Sequence, residues 1–175
     1  MEESKSTFSL ATKPGFIISG VSIIMSLILW ALIDDISTQQ QIGYFTWLII
    51  AFLYYYFAKN YRDNELDGNM PYGKAFKFMF FIGLIVSVFT VVYTYILFAY
   101  LDPSMIDAIK EQAAEKLYEQ NLSDEQVEQA IEMQSAFMSA GVMTISTFFA
   151  SIFFNTILSL IIAIFVKKEV VTFED

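Results

Sequence analysis

Cysteine and histidine are both absent from the 175 residues. Without cysteine there is no disulfide framework, no cysteine-held zinc and no thiol nucleophile. Without histidine the usual general base and the commonest metal ligand are gone. Charge is sparse as well, at 17% of the chain, and it is missing altogether from four long stretches. These are residues 14–33 (20 residues), 36–58 (23), 78–101 (24) and 133–166 (34). No Asp, Glu, Lys or Arg lies inside any of them. Proton-coupled carriers and voltage sensors place ionisable groups at such depths, so both classes are disfavoured.

What is present is apolar. The chain is 56% hydrophobic and 17% aromatic, with a mean hydropathy of +0.53. Water-soluble domains rarely sustain that composition. A helix needs about 20 apolar residues to cross a hydrocarbon core of about 30 Å. Unpaired backbone groups exclude open strands from that layer. The sequence therefore predicts an all-α, polytopic membrane protein in one domain, residues 1–175. Four transmembrane helices are expected at about 14–33, 42–58, 78–101 and 140–166. The second begins late because Ser37, Thr38 and the three glutamines 39–41 make its start polar. The first span is expected to be retained. Its leader MEESK is not basic, and its apolar run is too long for a signal peptide and ends in Asp34-Asp35 without a small-residue cleavage pattern.

The cations predict orientation. The stretch KNYRDNELDGNMPYGKAFK, residues 59–77, carries Lys59, Arg62, Lys74 and Lys77. The N-terminal tail adds Lys5 and Lys13, and the C-terminal tail adds Lys167 and Lys168. Only Lys110 and Lys116 lie in the other two connections, which hold 11 of the 19 acids. Excess Lys and Arg mark the cytoplasmic side. Both termini and the 59–77 island are therefore expected inside, with the whole net charge of −9 outside. Tyr54, Tyr55, Tyr56, Tyr61 and Tyr72 flank the island and read as an interfacial aromatic belt. Within it, Asp63, Glu65, Asp67 and Gly68 imitate the start of a calcium loop. The twelfth position, where a bidentate Glu belongs, is Lys74, so a solvated turn at Asp67-Gly68 is the reading.

Residues 102–135 predict an extracytoplasmic helical hairpin between the third and fourth spans. Asp102 and Pro103 form a start signal. Ser123 with Gln126 forms a capping box. Ile106, Ile109, Ala113 and Leu117, then Val127, Ala130, Ile131, Gln134 and Phe137, keep helical spacing. With no proline after it, the second hairpin helix is expected to run on into span four, with a bend at Gly141. The hairpin either packs on its own bundle or binds an extracytoplasmic protein partner.

Small and hydroxyl residues repeat within the spans. Ser19, Ser22 and Ser26 follow Gly15, and Ser87, Thr90 and Thr94 follow Gly83. Thr147, Ser151, Asn155, Ser159 and Ala163 step by four. Such faces let helices approach closely and hydrogen-bond across. This polar seam is the candidate site, and Asn155, mid-span, is its most polar member. No catalytic, cofactor-binding or metal-binding residue is expected, and no cofactor. Asp34 and Asp35 are the nearest paired acids, but neighbours on a helix point about 100° apart and form no dyad.

The stretches KNYRDNELDGNMPYGKAF, LDPSM, LSDEQVEQ and SLIIAIFVKK, in that order and spacing, resemble a bacterial family of uncharacterised membrane proteins, the domain-of-unknown-function family four-one-nine-nine. The resemblance covers nearly the whole chain. It implies a four-span protein of the inner membrane of Gram-negative bacteria and offers no catalytic residues to carry over. The expected role is non-enzymatic, in assembly or partner binding. The alternative is a small oligomeric transporter or lipid-handling component. The partners expected are the lipid bilayer, a protein at residues 102–135 and further copies of the chain; no nucleic acid is expected.

Overall fold

The computed structural model describes residues 6–120, 122–135 and 137–169, and the backbone but not the side chain of Ile36. Lys5, counted above among the cytoplasmic cations, lies outside the described residues. Among the described residues the long elements are all helices: α1 (Thr7–Leu32), α2 (Ile36–Glu65), α3 (Tyr72–Ile96), α4 (Met105–Glu119), α5 (Asp124–Ser135) and α6 (Ala140–Val166). A π-helical turn, Leu97–Leu101, continues α3. Four of these helices are long and apolar enough to cross a membrane: Thr7–Leu32, Ser37–Glu65, Tyr72–Leu101 and Ala140–Val166.

Local signals set the ends. Ser6 Oγ accepts the amide of Ser9 at 3.2 Å and starts α1 seven residues before the expected span. Lys13 and Pro14, which read as a boundary in sequence, sit inside that helix. Asp35 Oδ2 accepts the amide of Thr38 at 2.6 Å, which starts α2 within its polar stretch. Hydrogen bonding from Thr38 holds the Asp35 carboxyl below its ordinary value. At Asp67 and Gly68, φ is 51° and 79°, so the expected turn is present and Gly68 suits its left-handed backbone. The expected capping box is also present. Gln126 Oε1 accepts the amide of Ser123 at 3.0 Å, and Ser123 Oγ accepts that of Gln126 at 3.4 Å.

Three expectations are corrected. Asp102 is not the N-cap residue of α4, a position that Ser104 holds. The Asp102 amide donates to the Leu97 carbonyl at 2.8 Å, closing the π turn, and α4 starts only at Met105. Pro103, which has no amide hydrogen and disfavours helix in the residue before it, ends α3 here. Secondly, α5 does not run into α6. Ser135 Oγ donates to the Glu132 carbonyl at 2.6 Å, and Ser139 Oγ accepts the amide of Val142 at 3.4 Å. These local bonds compete with helix continuation, so the break falls before Ala140 and not at Gly141. Phe137 is consequently beyond α5 and 70% exposed, not part of its apolar face.

The Cα framework groups into two compact units, Met1–Phe89 with Ser151–Asp175, and Thr90–Ala150. In the first unit, α1 contacts α2. Its core is built from Ile18, Tyr54, Phe78, Ile82 and Ala163, among others. Gly15 lets α1 approach α3 closely, since a Cβ there would lie 2.8 Å from Ile85 Cγ2. In the second unit, α4 and α5 contact each other. Val127 is buried, and Ile106, Ile109, Ala113 and Leu117 are half-buried along α4. Large apolar side chains such as Ile24, Leu48, Phe52, Phe153 and Phe165 lie exposed. A soluble protein would pay about 25 cal/mol per Å² for such surface, whereas lipid tails are as apolar as the side chains.

Candidate functional site

The three sequence-selected residues Ser87, Ser151 and Asn155 meet in the first unit, where α3 and α6 face α2. The bonds form a directed chain. Tyr54 Oη donates to Asn155 Oδ1 at 2.8 Å. Asn155 Nδ2 donates to the Ser151 carbonyl at 2.9 Å and lies 3.2 Å from Ser151 Oγ and 3.4 Å from Ser87 Oγ. Ser151 Oγ donates to Ser87 Oγ at 2.9 Å, and Ser87 Oγ donates to the Gly83 carbonyl at 2.8 Å. Asn155 is 4% exposed and Tyr54 and Ser87 are fully buried. Each polar group therefore has a partner, as a buried network requires.

Gly83 makes the meeting possible. A Cβ at that position would fall 2.9 Å from Asn155 Cβ and 3.3 Å from Tyr54 Oη. The crevice beside it, lined by Phe80, Gly83, Leu84, Ile152, Asn155 and Thr156, has no room for a water molecule. The knot contains amide and hydroxyl groups and no carboxylate or amine. Its chemistry is hydrogen bonding between helices.

The other seam residues divide. Ser19 and Ser22 turn back to carbonyls of their own helix, Gly15 at 2.7 Å and Ile18 at 2.8 Å. Ser159 does the same to Asn155 at 2.7 Å. Ser26, Thr90 and Thr147 are half-buried.

Tyr54 was missed in sequence. It reads as one of an interfacial belt, yet it is wholly buried, and Tyr61 is buried too, stacked on Phe78 with ring centroids 4.1 Å apart. Of that belt, Tyr55 and Tyr56 are exposed. The signal that separates them is helical phase, since Ile50, Tyr54, Ala58 and Tyr61 share one face of α2 with 4-4-3 spacing.

The island also ties down the end of α6. Arg62 Nη1 donates to the Val166 carbonyl at 3.0 Å while its Nε pairs with Asp63 at 2.7 Å. Met70 and Lys168 exchange backbone bonds of 2.7 and 2.9 Å in an isolated antiparallel bridge. Helix C-termini leave carbonyls unpaired, and Arg62 fills one of them. Lys59, Lys74 and Lys77 stay exposed, with Lys77 Nζ 5.9 Å from the Phe81 ring centre.

Four apolar helices long enough to cross a membrane, three of them (α2, α3 and α6) joined through a buried polar knot, define a multi-pass helical membrane protein. The chain belongs to the family described as a protein of unknown function (DUF4199), whose model matches residues 8–168. No curated protein and no solved structure matches it.

Proposed function

We propose that this chain is a non-enzymatic protein of the bacterial cytoplasmic (inner) membrane, with both termini cytoplasmic and an assembly or partner-binding role. The partner-binding surface in this reading is the acidic segment 102–135. The observation that carries it is the charge of that segment: nine acids against Lys110 and Lys116. Glu111, Glu115, Glu119, Asp124, Glu125, Glu128 and Glu132 are all exposed. Among the described residues, the ion pair found there is Asp107 with Lys110, at 2.9 Å. A surface of one sign attracts a partner of the other and loses affinity as salt rises. The occupant is therefore a protein with a cationic face.

The transporter alternative draws less support. Three of its candidate polar groups, Ser87, Ser151 and Asn155, are spent within the knot, and the crevice beside Asn155 has no room for water. Replacing residues 104–132 by a short Gly/Ser linker tests the proposal. Insertion and the remaining helices are expected to survive while salt-sensitive co-purification of a partner is lost. Failure of the shortened chain to accumulate, or retention of the same partner, overturns the reading.

A further inference from the structure

A groove of about 700 Å³ opens between α1 and α2 at the island end of the first unit. Phe78 contributes to its wall from α3. Three residues, 33–35, join the two helices, so they run antiparallel and their lining residues pair in reverse order. That order gives the groove a chemical gradient. Ile17 of α1 and Tyr56 of α2 are the lining residues farthest along their helices from the island end. One helical turn further out, about 6 Å, come Lys13 and Asn60. Glu65, at the end of α2, lies five residues beyond Asn60, about 7.5 Å further along the axis.

The polar groups of this groove are unspent. Among the described residues, neither Lys13 nor Glu65 has an ion-pair partner, and the Asn60 side chain makes no hydrogen bond. This contrasts with the knot one helix away, where each donor is used. The groove thus presents, from the membrane centre outward, an apolar floor, a cation with an amide, and then an anion.

We infer that this groove binds a phospholipid with a zwitterionic, primary-ammonium headgroup, of the phosphatidylethanolamine kind. Acyl chains belong against Ile17 and Tyr56. The phosphate lies at the level of Lys13 and Asn60, which supply a cation and an N–H donor. The ammonium lies outermost, where Glu65 accepts its N–H bonds. Headgroup chemistry then sets selectivity. A trimethylammonium has no N–H for the Glu65 carboxylate. An anionic glycerol headgroup brings no positive charge to it. The site needs only the membrane reading, and it is independent of the acidic segment and its partner.

Competition in detergent tests the inference. The full chain is purified, offered equimolar phosphatidylethanolamine, phosphatidylglycerol and phosphatidylcholine, and its retained lipids are weighed by native mass spectrometry. Phosphatidylethanolamine is expected to be retained roughly two- to fivefold over the others, the range of a part-exposed charge pair. Glu65→Gln is expected to abolish that preference while lipid is still retained. Lys13→Gln is expected to lower retention of all three, because all carry the phosphate. Retention indifferent to headgroup, preference for the anionic lipid, or no retained lipid on the unaltered chain overturns the proposal. So does a folded Glu65→Gln chain, with unchanged circular dichroism and elution, that keeps the preference. If a variant fails to fold, competition on the unaltered chain still decides.

Discussion

Asn155 is the residue through which α2, α3 and α6 are joined. Its carbonyl oxygen holds Tyr54, and its amide nitrogen reaches Ser151 and Ser87. Hydrogen bonds between transmembrane helices average only about 0.6 kcal/mol. Leaving the buried Tyr54 hydroxyl unpaired costs more, about 1–3 kcal/mol. Asn155→Leu is therefore expected to destabilise the helix assembly by about 1–2 kcal/mol in reversible detergent unfolding. Gly83→Ala is expected to do at least as much, because the added methyl meets Asn155 Cβ at 2.9 Å and the packing must shift. Equal stability of both variants with the parent chain would mean that the knot contributes nothing. Sequence alone finds Asn155, since a lone amide in an apolar run must be paired. It does not find Tyr54, because a tyrosine near a span end suits both a wet belt and a dry core. Only the phase of its helix face distinguishes the two.

At the scale of elements, uncharged length decides most of the fold and side-chain caps decide the boundaries. Helix α6 has the bounds expected for span four, because Ser139 caps its start and Lys168 leaves the helix at its end to exchange backbone bonds with Met70. Span one is longer than expected, because a single lysine near a membrane surface need not end a helix when its stem can reach water. The break between α5 and α6 is not legible from the absence of proline, since it depends on Ser135 and Ser139 bonding to backbone. Asp35 provides a boundary that responds to pH. Its carboxyl lies below the ordinary aspartate value of 3.8 because it accepts from the Thr38 side chain and from the Thr38 amide. A lowered folded value means that the charged cap stabilises the helix start above the ordinary value and loses that effect as pH falls through the folded value. Exchange of the Thr38 amide, corrected for its intrinsic rate, is expected to stay protected through the neutral range and rise only in acid below about pH 4. Asp35→Asn keeps a good cap and removes the acid step. Protection that falls between pH 6 and 8 would refute this assignment.

For the whole molecule, charge is distributed more unevenly than its total suggests. The two tails and the island hold eight cations and eight acids, and the two remaining connections hold two cations and eleven acids. The island combines a topological signal with a structural one, since Arg62 both adds to the cation excess and closes the end of α6. Orientation is the central claim, because the placement of the acidic segment and its partner depends on it. The absence of cysteine makes it directly measurable. Asn64 in the island and Gln120 at the end of α4 are both exposed, so single cysteines there are open to reagent. In intact spheroplasts treated with a membrane-impermeant thiol reagent, Gln120→Cys is expected to label at once and Asn64→Cys only after permeabilisation. Labelling of Asn64→Cys from outside, or of both positions from the same side, would contradict the account.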